Sequence, residues 1–82
     1  MIISERDKKL LEVLQEVVIG GERTVDFFRT KGLREAAEEL VHIGFIEEVN
    51  SCYSAMQKGQ DFFRTALDHS SMKDLTITFP AH

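Results

Sequence analysis

Three histidines, His42, His69 and His82, and a single cysteine, Cys52, are the side chains of this 82-residue sequence most suited to nucleophilic or metal chemistry. Their spacing does not gather them. Cys52 has no second Cys or His at the short intervals a zinc site uses. No Gly-x-Ser-x-Gly elbow, phosphate loop or dinucleotide fingerprint is present. One cysteine excludes an internal disulfide. His42 falls near the end of a helical pattern, where a protonated imidazole interacts well with the helix dipole. Cys52, beside Tyr53 in a strand-like run, reads as a small packing residue. Glu35, Glu38, Glu39, Glu47 and Glu48 read as a solvated acidic face. No catalytic residue, metal ligand or cofactor is assigned, and the chain is not expected to be an enzyme.

The chemistry left is charge recognition. Arg29, Lys31 and Arg34 make a small positive cluster in a chain whose net charge is -4. That net charge disfavours nonspecific attraction to DNA or to an anionic membrane, because phosphates dominate DNA affinity electrostatically. A local basic patch can still act on an acidic protein.

The elements that must position these groups follow from periodicity. Ser4 is the expected N-cap of a first helix over about Glu5 to Val18, with Asp7 at its third position as a shorter relative of the capping-box Glu. Leu10, Leu11, Leu14, Val17 and Val18 form its apolar stripe. Gly20-Gly21 opens a turn. A short second helix is expected over Glu22 to Thr30, with Val25 and Phe28 inward and Phe27 on its flank. Lys31-Gly32 is the next turn. A third helix follows over about Leu33 to Ile43, with Leu33, Ala36, Ala37, Leu40 and Val41 apolar.

Gly44 suits the left-handed conformation that stops a helix. Two strand-forming runs follow, Phe45 to Val49 and Cys52 to Met56, around Asn50-Ser51, a pair suited to a tight turn. A fourth helix is expected over about Gln57 to Asp68. In the tail, Leu75-Thr76-Ile77-Thr78-Phe79 alternates apolar and polar residues as a strand does, and Pro80 ends the run. A lone strand must pair with something, whether the wing hairpin, the N-terminal Met1-Ile2-Ile3 or a second subunit.

The pentamer Asp-Phe-Phe-Arg-Thr occurs twice, at Asp26–Thr30 and Asp61–Thr65. The flanking residues differ and two copies do not make a repeat architecture. Each copy can place one ring in the core and leave the other near the surface, where exposed rings are candidates for an interface.

The stretch from Glu39 to Phe63 resembles the second half of a winged helix-turn-helix domain of the small transcription-regulator type. Leu40, Gly44, Phe45 and Ile46 match the end of the recognition helix and the first wing strand. Tyr53, Ala55, Gly59, Phe62 and Phe63 match the returning strand and the helix after it, with Ala55 and Met56 standing where Leu and Thr are common. With the helices before it, the resemblance covers roughly residues 4 to 68. It implies an α+β, mostly helical fold: a three-helix core, a two-stranded wing hairpin and a fourth helix. Residues 1–68 would form the domain and residues 69–82 a tail with a strand at 75–79.

The resemblance makes the third helix the recognition helix. Its outward residues are then Lys31, Arg34, Glu35, Glu38 and His42. Arg29, Lys31 and Arg34 would hold phosphates of duplex DNA, with Arg34 in reach of a guanine edge. Glu35, Glu38 and Glu39 argue the other way, and the wing tip carries no positive charge. Two functions therefore stand. One is a DNA-binding protein, dimeric as the family often is. The other is a module that binds protein through the acidic helix face or the tail strand and leaves DNA alone. Leu75, Ile77 and Phe79 are the expected protein-interface residues, for a homodimer or another partner. No run approaches the ~20 apolar residues of a membrane span, and the first residues lack signal-peptide regions, so a cytoplasmic location is expected.

Overall fold

The computed structural model describes residues 4–68 and 78–80. Its element order is α1 (Glu5–Gly20), β1 (Arg23–Thr24), α2 (Val25–Thr30), α3 (Arg34–His42), β2 (Ile46–Val49), β3 (Cys52–Ala55) and α4 (Gln57–Asp68). The class is α+β: four helices and one three-stranded antiparallel sheet in the order β1-β3-β2.

α1 begins where its capping residues require. Ser4 Oγ accepts the Asp7 backbone N–H at 3.1 Å and donates to Asp7 Oδ2 at 2.8 Å. Leu10, Val13, Leu14 and Val17, spaced three and four apart, are buried. α3 presses Ala36, Ala37 and Leu40 into the same core. Gly44 ends the α3 segment at φ 84°, and the Phe45 N–H turns back to the Leu40 carbonyl at 2.9 Å. The hairpin turn places both Asn50 (φ 53°) and Ser51 (φ 62°) in the left-handed region that two-residue hairpin turns require.

The region expected to be one helix from Glu22 to Thr30 divides. Arg23 and Thr24 pair with Tyr53 and Cys52 as β1, and the helix begins only at Val25. Thr24 Oγ1 accepts the Phe27 N–H at 3.1 Å, so the residue read as helix interior is the N-cap. The sheet thereby gains a third strand.

Tyr53, Phe28 and Phe45 are the largest fully buried side chains. Phe28 packs on Tyr53 with ring centroids 5.8 Å apart, so α2 and β3 meet at the core through aromatic rings. Gly59, in the first turn of α4, allows that helix to approach the Phe45 carbonyl so closely that a Cβ would collide with it.

Leu75 and Ile77 of the expected tail strand lie outside the described residues. Phe79 is described, and it is 2% exposed within its own chain. Its ring lies 4.6 Å from Phe62 and 5.8 Å from Phe45. Its backbone N–H donates to Asp7 Oδ1 at 3.2 Å, and Arg6 Nη2 donates to the Pro80 carbonyl at 3.3 Å. Within its own chain the ring is enclosed by α4 and by the residue preceding β2. Burying a Phe contributes about 1.5–3 kcal/mol. A hydrogen bond to a charged group adds about 1.5–3 kcal/mol. Ordering three backbone residues costs about 3–6 kcal/mol. With the Arg6 bond to the Pro80 carbonyl counted as a second of this kind, the favourable side exceeds the cost by about 1.5–3 kcal/mol, so the segment is held by a margin small beside the stability of a whole domain.

Candidate functional site

The turn between α2 and α3 is tied down by backbone hydrogen bonds. Lys31 and Leu33 N–H groups both donate to the Phe28 carbonyl, at 3.1 and 2.8 Å, and Gly32 donates to Arg29 at 3.1 Å. Arg29, Lys31 and Arg34, the three residues expected to contact DNA, are all exposed around this fixed turn.

Each cation already faces a partner. Arg29 forms an ion pair with Asp26 one helical turn earlier, with both side chains well exposed. Arg34 Nε lies 3.2 Å from Glu38 Oε1, also in solvent. Lys31 Nζ stands 5.0 Å from the centre of the Phe27 ring, and Arg23 Cζ stands 5.2 Å from the same ring. Exposed ion pairs contribute only about 0–1 kcal/mol, so none of these contacts locks a side chain in place.

The five glutamates read from the sequence as one acidic face do not stay together. Glu35 and Glu38 are exposed on α3. Glu39 turns toward α1, where Arg6 Nη2 lies 3.0 Å from its Oε1. Glu47 and Glu48 are adjacent on β2 and so point to opposite faces of the sheet. Glu48 stands opposite Tyr53 in the ladder, on the side toward α3. The hairpin is held against α2 by the Val25 N–H, which donates to the Ser51 carbonyl at 2.9 Å. Together these place Asp26, Arg29, Arg34, Glu48 and Ser51 around one shallow depression. Glu35 and Glu38 continue the surface beside Arg34.

Beneath this surface lies Tyr53. Its side chain is fully buried and its hydroxyl has no hydrogen-bond partner within the protein. Burial pushes the phenol pKa up. The Glu48 and Glu38 carboxylates push it in the same direction, while the Arg34 guanidinium pulls it down. On the other side of the sheet the Cys52 thiol is also raised, first by desolvation and then by Glu22. A raised thiol pKa leaves less of the nucleophilic thiolate at neutral pH.

His42 is exposed on the last residue of α3, while His69 and His82 lie outside the described residues. Among the described residues no three His, Cys, Asp or Glu side chains are grouped to hold a metal ion. No described helix is long and apolar enough to cross a membrane. Two features escaped the sequence reading: the orphaned Tyr53 hydroxyl, and the Arg6–Asp7 pair that grips the tail. Asp7 is 6% exposed. Its position three residues after the N-cap signalled capping, and nothing in the sequence signalled a partner 72 residues away. Comparison with protein-family models, with curated proteins and with solved structures found no significant match.

Proposed function

We infer that this chain is a winged-helix module that binds a protein partner through the face built by the α2–α3 turn, α3 and the hairpin, and that the partner presents basic groups. The winged-helix assignment is supported by the order helix, short strand, helix, helix, hairpin, helix. It is supported further by the two-residue hairpin turn and by the tight connection between α2 and α3. The partner class rests on one observation. The three cations of the face, Arg29, Lys31 and Arg34, stand among four carboxylates, those of Asp26, Glu35, Glu38 and Glu48. DNA would have to approach a face on which carboxylates are at least as many as cations even with Arg23 at its edge, and the balance of charge governs both steering and affinity.

A second reading has its own support. Arg29, Lys31 and Arg34 lie on one rigid, exposed turn, and their partners are weak enough to be exchanged for phosphates. Fluorescence anisotropy with mixed-sequence duplex DNA, at low and at physiological salt, separates the two. The protein-partner reading expects no salt-sensitive binding. Binding that weakens steeply with salt, and that Arg29, Lys31 and Arg34 together replaced by Ala abolish, would overturn it in favour of DNA. The positive arm is an NMR titration with a lysine-rich peptide. Shifts should concentrate on Glu35, Glu38 and Glu48 and disappear in E35Q/E38Q/E48Q; shifts spread over every acidic residue would count against this face.

A further inference from the structure

The cleft that holds Thr78–Pro80 is assembled from three separated parts of the chain. Arg6 and Asp7 come from the start of α1, Phe45 precedes β2, and Phe62 lies on the flank of α4. Each part answers one chemical requirement. The buried Asp7 carboxylate accepts a backbone N–H. The rings of Phe45 and Phe62 receive an aromatic side chain. The Arg6 guanidinium donates to the carbonyl of the next residue. An aromatic residue followed by proline satisfies all three, and proline brings a fixed φ and no further N–H to satisfy.

The cleft is also preset. Ser4 Oγ donates to Asp7 Oδ2 at 2.8 Å, Arg6 Nη1 lies 2.9 Å from Asp7 Oδ1, and Arg6 is itself held by Glu39. These contacts orient the carboxylate without help from the tail. A preset site costs less to fill than one that must be ordered by its occupant.

We propose that this cleft is a docking site for an aromatic–proline segment, closed in cis by Thr78–Pro80, and that its partner in trans is the same segment of a second copy of this chain. The segment seated in the cleft is the chain's own, and a second copy presents the same atoms to the same acceptor, rings and donor. Only the connection differs, as in any exchange of an identical element between protomers. The small margin that holds the segment makes release accessible well below global unfolding. A tethered segment acts at an effective concentration of about a millimolar, so the wild-type chain should remain closed on itself at micromolar concentration. This proposal does not depend on what the α3 face binds.

The test pairs two broken chains. Phe79→Ala leaves the cleft open and its own tail unable to fill it. Phe62→Ala keeps the tail and damages the cleft. Sedimentation velocity at roughly a few hundred micromolar, above the trans dissociation constant that a small margin against a millimolar tether implies, should show each variant alone as a monomer and their mixture as a one-to-one dimer. A labelled peptide with the sequence of residues 75–82 should bind F79A at least about tenfold more tightly than wild type, whose cleft is already occupied. The same peptide with Ala for the Phe should not bind. Absence of both the mixed dimer and the peptide complex, with F79A folded by its NMR spectrum, would overturn the proposal. Peptide binding without a mixed dimer would overturn the second-copy partner. Should F79A fail to fold, amide exchange on the wild-type chain decides. The Phe79 amide should exchange much faster than that of Tyr53, and equal rates would mean that the segment opens only with the whole domain.

Discussion

Asp26–Thr30 in α2 and Asp61–Thr65 in α4 are the same five residues folded twice, and the two copies agree in most of what is local. Each forms a helical turn with an Arg–Asp contact at i,i+3. Each threonine hydroxyl donates back to a carbonyl of its own helix at 3.0 Å, from Thr30 to Phe27 and from Thr65 to Asp61. Each buries its second phenylalanine, Phe28 or Phe63, and leaves the first, Phe27 or Phe62, partly covered. The copies part at that first ring. Phe27 meets two cations, those of Arg23 and Lys31, at the edge of the candidate binding face. Phe62 meets two further rings, Phe45 and Phe79, and becomes the wall of the tail cleft. Helix spacing decides which ring is inside. The neighbours, supplied by distant parts of the chain, decide what the other ring is for.

The equivalence of the buried rings carries the largest expected effect. Phe28→Ala and Phe63→Ala should each cost about 3–5 kcal/mol, the range for truncating a buried Phe. A domain of this size has a total stability of roughly 4–12 kcal/mol, so either variant approaches unfolding. Urea denaturation measures both. A loss below about 1 kcal/mol at one position would break the equivalence and show that its ring is not part of the core in solution.

The difference between the flanking rings predicts a smaller and unequal effect. Phe62→Ala should cost about 1–3 kcal/mol and Phe27→Ala less, because Phe62 packs against the rings of Phe45 and Phe79 whereas Phe27 meets the ring of its neighbour Phe28 and two exposed cations. A double-mutant cycle sharpens the comparison. F62A and F79A should couple by about 0.5–1.5 kcal/mol, the range for an aromatic pair, while F27A and F79A should be additive. Coupling of F27A to F79A would mean that the tail rests somewhere other than on α4.

What was legible in the sequence divides along the same line. The Ser4 cap, the α1 stripe, Gly44 as a helix stop and Asn50-Ser51 as a turn are local signals. Each depends on a few adjacent residues and appears where expected, except that the α1 stripe buries Val13, which was not among the residues read, and leaves Leu11 and Val18 only partly covered. The inward position of Phe28 was readable from helical spacing alone. β1 was not, because two residues carry no periodicity and Arg23–Thr24 is a strand only by virtue of Cys52 and Tyr53 opposite it. The positive cluster could be listed from composition, yet the carboxylates around it could not be sorted. Separating Glu47 from Glu48, or turning Glu39 toward Arg6, takes the fold. The tail's period-two alternation signals a strand in need of a partner but does not say which, whether the hairpin, the N-terminus or a second subunit. Asp7, sequence-distant and already explained as a capping residue, gave no hint that Phe79 would return to it.

The two buried rings also differ in what they lean on, and this yields the smallest effect. Phe28 packs against Tyr53, whose hydroxyl is buried without a partner beside the candidate face. Removing an unsatisfied hydroxyl deletes a desolvation penalty, so Tyr53→Phe should be neutral or stabilising by up to about 1 kcal/mol near neutral pH. In alkali the two proteins should diverge. The phenol pKa is raised in the folded state, by burial first and then by Glu48 and Glu38, so the unfolded chain gives up this proton at a lower pH than the folded one. The stability linked to the neutral phenol is therefore whole below the unfolded value of about 10 and is lost as pH rises toward the folded value. Urea midpoints measured from pH 8 to pH 11 should fall faster for wild type than for Y53F, with the gap opening near pH 10. The shared loss from other alkaline groups cancels in that difference. A constant gap would mean that the phenol ionises alike in both states. Tyr53 would then be solvated in the folded protein, and the seam between α2 and the hairpin would be open to water where the seam around Phe63 is closed.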